Sequence, residues 1–544
     1  MNSICERKWT FGGRKDEPTN VELNTNPKNI KRRRLLSICC ALMSFSTVEA
    51  DIESASSSSE RRRNTHEAPR YYVSTQHTSH EKPHRNLLSD YRSHPTVGSS
   101  VPLLLKSGSY HANLYVGTPP QHKLVIVDTG SHFTAFPCEP CLSCGSSHYS
   151  GRAYYDPEVS SSSQSVRCRS EADEETVEDV NCVWKGVSHC SDNSHNQCTH
   201  TQRYTEGSSW TAYEMRDLVY VGTHDLDSSY QNAALLSSSF VFGCEVSESG
   251  LFRSQYADGI MGLAMYPDGI MQALSEGGSV SANCFSLCLK RDFGYFIKSS
   301  GQVNKEVTND GGILSLGGIL HESLKRRTSG MAYTRMTRSF GWYSVHVVEL
   351  WVGDEVVVSD TEKKSKKKIH PAPSECFNED KGTIIDSGTT DTYFPEAIAK
   401  NFRLAWETST QKLLGDEWIP HSNSRIDITY ETYRHLPPVT IVLTEDVRWS
   451  IQPSSYLEPM PTGTGSNTAY TDAPTNGGED RPGGFPMWEG KRPFVNRIYL
   501  DESRGAVLGS NAMLDHELFF DEENLRIGIA TADCGSSLKD GVLL

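Results

Sequence analysis

Short apolar runs separated by turn-forming residues dominate the chain from Val101 onward. Such runs, rich in β-branched and aromatic residues and bounded by Gly, Pro or Ser, occur at residues 112–117, 123–127, 239–243 and 312–317. This length and composition are typical of strands. The best helix candidate is residues 396–407, which opens after Pro395. The pattern therefore predicts a mostly-β chain.

One phrase of this pattern occurs twice. An apolar run leads into residues 128–131 (Asp-Thr-Gly-Ser) and a second leads into residues 386–389 (Asp-Ser-Gly-Thr), and each copy ends at Phe-Pro with the Pro nine residues past the Asp. A later apolar-apolar-Gly stretch, ending at Gly262 or Gly509, follows each copy. An internal repeat of this kind predicts two similar lobes, joined near residues 325–333.

The two repeated carboxylates, Asp128 and Asp386, are the candidate chemical groups. If the two lobes bring them within about 3 Å, they cannot both ionise readily, and the pair holds one proton over a range of pH. The ionised carboxylate can then deprotonate a bound water, and the protonated one can polarise a carbonyl group and donate a proton to a leaving amine. This chemistry needs neither a metal nor a cofactor.

The residues beside each Asp suit this arrangement. The hydroxyls of Thr129 and Ser387 can cross-link the two loops. Gly130 and Gly388 lack a side chain, so backbone N–H groups can approach the carboxylates closely. One such tripeptide would be weak support, because it is common in turns, but two copies in the same context are specific.

The span from about Tyr110 to Cys534 resembles a pepsin-type (family A1) aspartic endopeptidase, and the Cys138, Cys141, Cys144 and Cys168 pattern resembles the plasmepsin V-type and nepenthesin-type enzymes. The resemblance implies an all-β, bilobal pepsin-like acid protease fold with pseudo-two-fold lobes. It also implies that Asp128 and Asp386 are catalytic. Ser131 and Thr389 are then expected to donate hydrogen bonds to the outer carboxylate oxygens.

The resemblance further implies a flap, a hairpin that closes over substrate, at Tyr204, Glu206 and Gly207. An ordinary strand aromatic is the alternative for Tyr204. The plasmepsin V-type enzymes use an acidic flap residue to bind a substrate Arg, whereas the alternative for Glu206 is a solvent-facing side chain. Pepsin-like enzymes usually carry a Trp seven residues past the first Asp, but this chain has Ala135 there.

Charge and targeting signals bear on partners and compartment. Residues 1–100 carry 16 Lys+Arg against 11 Asp+Glu, whereas the remainder carries 37 against 57. Such an acidic body argues against a nucleic-acid partner. A basic cluster at residues 31–34 precedes an apolar run at 35–48, which predicts a signal or signal anchor. The sequence contains no further apolar stretch long enough to span a bilayer, so no stable membrane anchor is expected.

The sequence thus divides into five predicted parts: a signal or targeting segment (1–50), a pro-segment or disordered linker (51–105), an N-terminal lobe with Asp128 and the flap (106–328), a C-terminal lobe with Asp386 (329–536) and a tail (537–544). The predicted compartment is the secretory pathway, meaning the endoplasmic reticulum or Golgi, a vacuole-like compartment or secretion. A monomer is expected.

Of the 15 cysteines, 12 follow the predicted signal, which allows up to six disulfides. The Cys138–Cys144 spacing and the Cys and His residues at 189–200 also resemble metal ligands, but disulfides are favoured in an oxidising compartment. No metal or cofactor is therefore expected.

The sequence favours an aspartic endopeptidase that processes secretory-pathway proteins in a cleft between lobes. A general digestive or vacuolar protease is an alternative, as is a non-catalytic protein that binds peptides on the same fold. A two-carboxylate glycosidase is a further rival, although it needs no symmetric Asp-Thr/Ser-Gly pair.

Overall fold

The structure, a computed structural model, describes residues 98–535 apart from 107, 142, 146–153, 169–181, 192–195, 223–236, 292–309, 319–320, 340, 360–370 and 461–487. The predicted signal segment, most of the predicted pro-segment or linker, and the predicted tail lie outside the described residues.

The described residues form strands for the most part, as predicted. In chain order the strands are β1 Ser99–Lys106, β2 Ser109–Val116, β3 Gln121–Asp128, β4 Ala135–Pro137, β5 Gln164–Ser165, β6 His189–Ser191, β7 Gln197–Arg203, β8 Ser209–Gly222, β9 Ser238–Ser249, β10 Gly259–Gly262, β11 Cys284–Leu289, β12 Asp310–Leu316, β13 Ala332–Arg335 and β14 Thr337–Ser339. They continue with β15 Trp342–Val345, β16 Val347–Val352, β17 Glu355–Ser359, β18 Thr383–Asp386, β19 Thr392–Pro395, β20 Arg425–Thr429, β21 Val439–Leu443, β22 Arg448–Ile451, β23 Leu457–Pro459, β24 Lys491–Asn496, β25 Ile498–Glu502, β26 Ala506–Gly509, β27 His516–Asp521 and β28 Arg526–Thr531.

The helices are short, with one exception. They are α1 Ile270–Glu276, α2 His321–Arg326, α3 Glu375–Asn378, α4 Ala399–Leu414, α5 Tyr430–Arg434, α6 Pro453–Tyr456 and α7 Ser510–Met513, and 3₁₀ turns lie at Gly250–Arg253, Glu396–Ile398, Gly415–Glu417 and Thr444–Asp446. The long helix α4 is the one predicted after Pro395. It runs past the predicted end at residue 407 and stops at Gly415, whose φ of 58° suits glycine.

Four sheets organise these strands. The largest runs in the order β13-β28-β27-β11-β12-β1-β2-β3-β10-β4-β9-β8-β7-β6, with β5 on β8. The others run β14-β15-β18-β26-β19-β25, β17-β16-β21-β22 and β20-β24-β23. The late strands β27 and β28 thus complete the sheet that holds β1 and β3, and the architecture is the all-β, bilobal fold expected from the resemblance.

The repeat seen in the sequence is a repeat of structure. In the first copy β10 pairs parallel to β3 with Gly262 opposite Asp128, and in the second β26 pairs parallel to β18 with Gly509 opposite Asp386. In each copy the strand after the Asp loop pairs antiparallel to that same Gly-ending strand. The two Asp residues therefore end equivalent strands.

The ordered sheet begins earlier than predicted. The linker was expected to extend to residue 105, but Ser99–Lys106 is strand β1 and pairs with β12 and β2. Val101 and Leu103 alternate into the core with 0% and 1% exposure, which explains why this segment is a strand. The lobe boundary predicted at residues 328 and 329 stays a prediction.

Among the described residues, ten cysteines form five disulfides, so the prediction of disulfides at Cys138, Cys141 and Cys144 is confirmed. The pairs are Cys138–Cys244, Cys141–Cys144, Cys168–Cys190, Cys182–Cys198 and Cys288–Cys534. The upper limit of six is not reached, because Cys284 on β11 and Cys376 on α3 stay free on separate elements. Disulfides of this number are typical of an oxidising compartment.

No helix in the described part of the chain has both the length and the apolar character required to cross a bilayer.

The Cys288–Cys534 disulfide should stabilise the fold far more than the Cys141–Cys144 disulfide. The first closes a separation of 246 residues and the second a separation of 3, and a longer loop removes more entropy from the unfolded chain. We expect the Cys288→Ala/Cys534→Ala variant to lose about 3–5 kcal/mol of unfolding free energy in guanidinium denaturation. The Cys141→Ala/Cys144→Ala variant is the matched control, and an equal loss in both would contradict the loop-length argument.

Candidate active site

Each candidate carboxylate is held by its own loop. In the first Asp loop (residues 128–131), the Gly130 N–H donates to Asp128 Oδ1 at 2.7 Å and the Ser131 hydroxyl donates to Asp128 Oδ2. In the second Asp loop (residues 386–389), the Gly388 N–H donates to Asp386 Oδ1 at 2.9 Å and the Thr389 hydroxyl donates to Oδ2 at 2.7 Å. The expected hydrogen bonds from Ser131 and Thr389 are thus present.

The two loops are cross-linked by reciprocal hydrogen bonds. The Thr129 hydroxyl donates to the Ile385 carbonyl at 2.8 Å and accepts from the Ser387 N–H at 2.9 Å. In the equivalent arrangement on the other loop, the Ser387 hydroxyl donates to the Val127 carbonyl at 2.8 Å and accepts from the Thr129 N–H at 3.0 Å. These four bonds are buried and fix the relative position of the loops, as the sequence predicted for these two hydroxyls.

The glycines of both loops sit against the opposite carboxylate. A Cβ on Gly130 would lie 2.6 Å from Asp386 Oδ1, and a Cβ on Gly388 would lie 2.3 Å from Asp128 Oδ1. Any side chain would therefore displace a carboxylate. With only glycine between them, Asp128 and Asp386 lie within hydrogen-bond reach of each other.

This arrangement changes the titration of the pair. Burial, and then the negative charge of Asp386, raise the pKa of Asp128 to about 8, while the Ser131 hydroxyl and the Gly130 N–H oppose the rise. Two carboxyls in contact hold one proton between them, because ionising the second places two negative charges in one buried space. The site thus combines one acid and one base.

The predicted flap residues form a hairpin turn between β7 and β8. The Tyr204 N–H donates to the Ser208 carbonyl at 2.9 Å, and Gly207 adopts a φ of 95° that favours glycine. Tyr204 is half-buried against Phe252, with ring centroids 5.2 Å apart, whereas Glu206 is exposed at the tip. The flap (residues 204–208) therefore has one anchored and one free side chain.

Tyr204 lies near the first Asp loop, where the charge of Asp128 acts on it. Burial, and then the charge of Asp128, raise the pKa of Tyr204 above its ordinary value, so the phenol stays protonated. The flap tyrosine thus lies close enough to the carboxylate pair for the charge of Asp128 to act on it.

Trp210 is a site residue that the sequence analysis missed. Its indole N–H donates to the Tyr204 hydroxyl at 3.2 Å, and its ring lies in a buried cluster with Ala135 and Trp184. The small Ala135 leaves room for this cluster at the position where pepsin-like enzymes usually carry a Trp. A tryptophan six residues past Tyr204 on the flap strand was the available signal, but its partner depends on how the hairpin packs.

Trp342 is a second residue that the sequence analysis missed. Its indole N–H donates to the Gly130 carbonyl at 2.8 Å, across 212 positions of sequence. Its ring centroid lies 5.8 Å from that of His132. The start of β15 thus holds the first Asp loop from outside, and no local pattern in the sequence marks this contact.

One grouping of described residues has metal-like composition: Cys182, Cys198 and Glu214. The two sulfurs are joined in a disulfide, and the Glu214 carboxylate accepts the N–H groups of Val183 and Trp184 at 2.7 and 3.1 Å. The sulfur and carboxylate atoms of this group are therefore engaged in a disulfide and in hydrogen bonds to the backbone, and do not form a metal site.

Comparison with known proteins finds similarity to several aspartic proteases. A family profile described as xylanase inhibitor N-terminal matches residues 110–318. Aspartic proteinase 36 of Arabidopsis thaliana is 23% identical over 436 residues, which cover 79% of this chain and 75% of that protein. Aspartic protease 5 of Toxoplasma gondii is 32% identical over 117 residues, covering 21% of this chain and 11% of that protein. Aspartic proteinase nepenthesin-2 of Nepenthes gracilis is 28% identical over 116 residues, covering 21% and 23%.

Removal of the Thr129 hydroxyl should loosen the joined loops. We expect Thr129→Val, which keeps the shape but loses the hydroxyl, to leave the Ser387 N–H and the Ile385 carbonyl without partners and to cost about 1–3 kcal/mol of unfolding free energy. Thr129→Ser keeps the hydroxyl and serves as the control. Equal denaturation midpoints for the two variants would contradict the assigned cross-link.

Proposed function

We propose that the chain is a pepsin-like aspartic endopeptidase that hydrolyses peptide bonds with a water molecule activated between Asp128 and Asp386. The observation that carries this proposal is the contact of the two carboxylates, each against the glycine of the opposite loop. A protein that only bound peptides in its cleft would not need this proton-sharing contact.

The proposed reaction uses the pair as acid and base. The ionised carboxylate accepts a proton from the water, which attacks the peptide carbonyl carbon, while the protonated carboxyl donates a hydrogen bond to the carbonyl oxygen. The proton gained from water is then delivered to the leaving nitrogen as the C–N bond breaks. The hydrogen bonds from Gly130, Ser131, Gly388 and Thr389 hold the carboxylates in place without neutralising them.

The flap has two proposed roles. Tyr204, anchored by Trp210, covers the pair and excludes water once a substrate is bound. Glu206 is exposed at the flap tip, where a carboxylate is free to pair with a substrate Arg. The carboxylate pair can act on many peptides, so selection of a basic residue would depend on this tip.

The proposed substrates are proteins of the secretory pathway. Five disulfides support residence in an oxidising compartment, since thiols there are oxidised. A processing enzyme and a general digestive or vacuolar enzyme would use the same chemistry. They differ in whether cuts cluster beside Arg or fall between bulky apolar residues.

Neutralising either carboxylate should abolish peptide cleavage. We expect Asp128→Asn and Asp386→Asn each to lower kcat/KM by about 10²–10⁴-fold, measured by mass spectrometry on a diverse peptide library. Asp446→Asn changes an exposed residue remote from the site and is the matched control. Unchanged cleavage in either active-site variant would sink the proposed mechanism and favour a peptide-binding protein.

The raised pKa of Asp128 also predicts how the stability of the Asp128→Asn variant depends on pH. A carboxyl whose pKa is higher in the folded than in the unfolded state contributes stability below its ordinary value of 3.8, and this contribution is lost as the pH rises through about 8. Asp128→Asn removes that loss. Its melting temperature near neutral pH should therefore equal or exceed that of the unmodified protein, which separates lost chemistry from lost fold.

Recognition of Arg by Glu206 can be tested on both partners. Peptides that pair an Arg with its uncharged isostere citrulline at each position near the cut should show a preference for Arg of about tenfold in the unmodified protein. Glu206→Gln should remove this preference and leave cleavage of the citrulline peptides unchanged. The same preference in both proteins would show that Glu206 is merely solvent-facing.

A further inference from the structure

A second pair of acidic side chains is buried in the protein, apart from Asp128 and Asp386. Glu245 and Glu248 lie on β9 with 0% and 6% exposure. The pairing of β8 with β9 shifts register between Thr211 and Ala212, opposite this segment. One extra residue in a strand turns positions three apart to the same side, which explains how both acids face each other.

Glu248 holds a neighbouring loop. Its Oε2 accepts the N–H of Gly145 at 2.5 Å, and its backbone N–H donates to the Ser143 carbonyl at 3.3 Å. These contacts fasten the Cys loop, defined as residues 143–145 beside the Cys141–Cys144 disulfide, to β9. On its other side, Glu248 pairs across the sheet with Trp210, the tryptophan that bonds the flap tyrosine.

Glu245 lies between this loop and the flap root, defined as residues 209–212 of β8. Its carbonyl oxygen lies 3.8 Å from Cys144 Sγ, and it pairs with Ala212 across the sheet. Two residues earlier on the same side of β9, a Cβ on Gly243 would touch Ala135, Ala212 and Trp184 at 3.0–3.1 Å, so the space belongs to the cluster under the flap. Both Glu245 carboxylate oxygens are buried without a hydrogen-bond donor. The side chain within hydrogen-bond reach is the carboxyl of Glu248.

The charged and titratable groups around the pair come from few elements. Arg253, on the 3₁₀ turn that follows β9, acts on Glu248. The negative charge of Glu245 contributes to the raised pKa of Tyr204 on the flap. From β8, Trp210 and Ala212 contribute no charge, and the Cys loop contributes the Gly145 N–H. Two ionised carboxylates in this space would leave Glu245 without any donor, whereas one shared proton supplies it.

We propose that Glu245 and Glu248 form a proton-sharing carboxyl pair that fastens the Cys loop to the flap root and loosens both when the proton is lost at rising pH. The pair joins the two elements through Gly145 on one side and the Trp210–Tyr204 hydrogen bond on the other. Its effect on peptide cleavage rests on the proposed function, but its effect on stability does not.

The direction of the pH effect follows from burial. Burial, and then the charge of Glu248, raise the pKa of Glu245 above its ordinary value of 4.5. The shared proton therefore contributes stability below that ordinary value, and the contribution is lost as the pH rises through the raised value. Asp128 acts with the same sign, so the two pairs must be separated by experiment.

An Asp128→Asn background separates them, because it removes the contribution of the first pair and also prevents self-cleavage. In the full chain with this substitution, the melting temperature should fall as the pH rises above the ordinary carboxyl pKa of 4.5. Adding Glu245→Gln, which is neutral at every pH, should reduce that fall by several degrees. Glu139→Gln, at an exposed residue beside the Cys loop, should leave it unchanged. The same fall in all three proteins would overturn the proposal.

Hydrogen exchange tests the loosening without any change at the pair. In the Asp128→Asn protein, protection of residues 143–145 and 204–210 should drop over the same pH range, and a uniform profile there would overturn the proposal. Millimolar Ca²⁺ is the second probe. A rise in melting temperature with Ca²⁺ that Glu245→Gln abolishes would overturn proton sharing in favour of a cation site. No Ca²⁺ effect is expected.

The pH dependence of peptide cleavage provides the last test. In the protein with Asp128 intact, Glu245→Gln should extend peptide cleavage to higher pH if the flap root limits activity there. If cleavage fails at every pH while the melting data still separate Glu245→Gln from Glu139→Gln, the proposed function is wrong and the carboxyl pair stands.

Discussion

The reciprocal hydrogen bonds between Thr129 and Ser387 are the constraint on which the site depends. Each hydroxyl bridges a backbone N–H and a backbone C=O of the opposite loop, so it satisfies two buried polar groups that would otherwise be unpaired. Because the hydroxyl-bearing residues directly follow the Asp residues, fixing one pair also fixes the other. The carboxylates are thus placed by backbone geometry, and the short-range repulsion that would follow from ionising both is opposed by a network that does not involve them.

The glycines make this closeness possible. Gly130 and Gly388 admit the opposite carboxylate, and Gly262 and Gly509 admit the loop backbone beneath the neighbouring strand, where a Cβ would lie within 2.6 and 2.1 Å of a carbonyl oxygen. The same two glycine positions thus occur in both halves. Tight packing of this kind excludes water from the base of the loops, which strengthens each hydrogen bond and raises the cost of a second negative charge.

The sequence predicted what is local or repeated. The Asp loops, their hydroxyl partners, the flap turn and the helix after Pro395 all follow from residue types at short spacing. The contact of Trp342 with Gly130 is tertiary and leaves no periodic mark. The linker was predicted to extend to residue 105, whereas residues 99–106 form β1, because the burial of Val101 and Leu103 depends on β12, more than 200 residues away. The number of disulfides was limited by geometry, since Cys284 and Cys376 lie on separate elements.

Electrostatics was the least predictable part. Nothing in the spacing of Glu245 and Glu248 distinguishes them from solvent-facing strand residues. A bulge in the pairing with β8 turns them inward, and only packing decides that their shared surroundings contain so little positive charge. Buried acids of this kind arise from the tertiary fold, and the sequence shows them merely as two carboxylates three residues apart.

The pairing of β27 and β28 with β11 has a consequence for how the protein is made. A ribosome must deliver residues up to Thr531 before the sheet that contains β1 can close, so the first half of the chain waits with an open β edge beside β11. Contacts so distant in sequence also slow folding in general. Until then, the unpaired N–H and C=O groups of β11 are open to pairing with another chain.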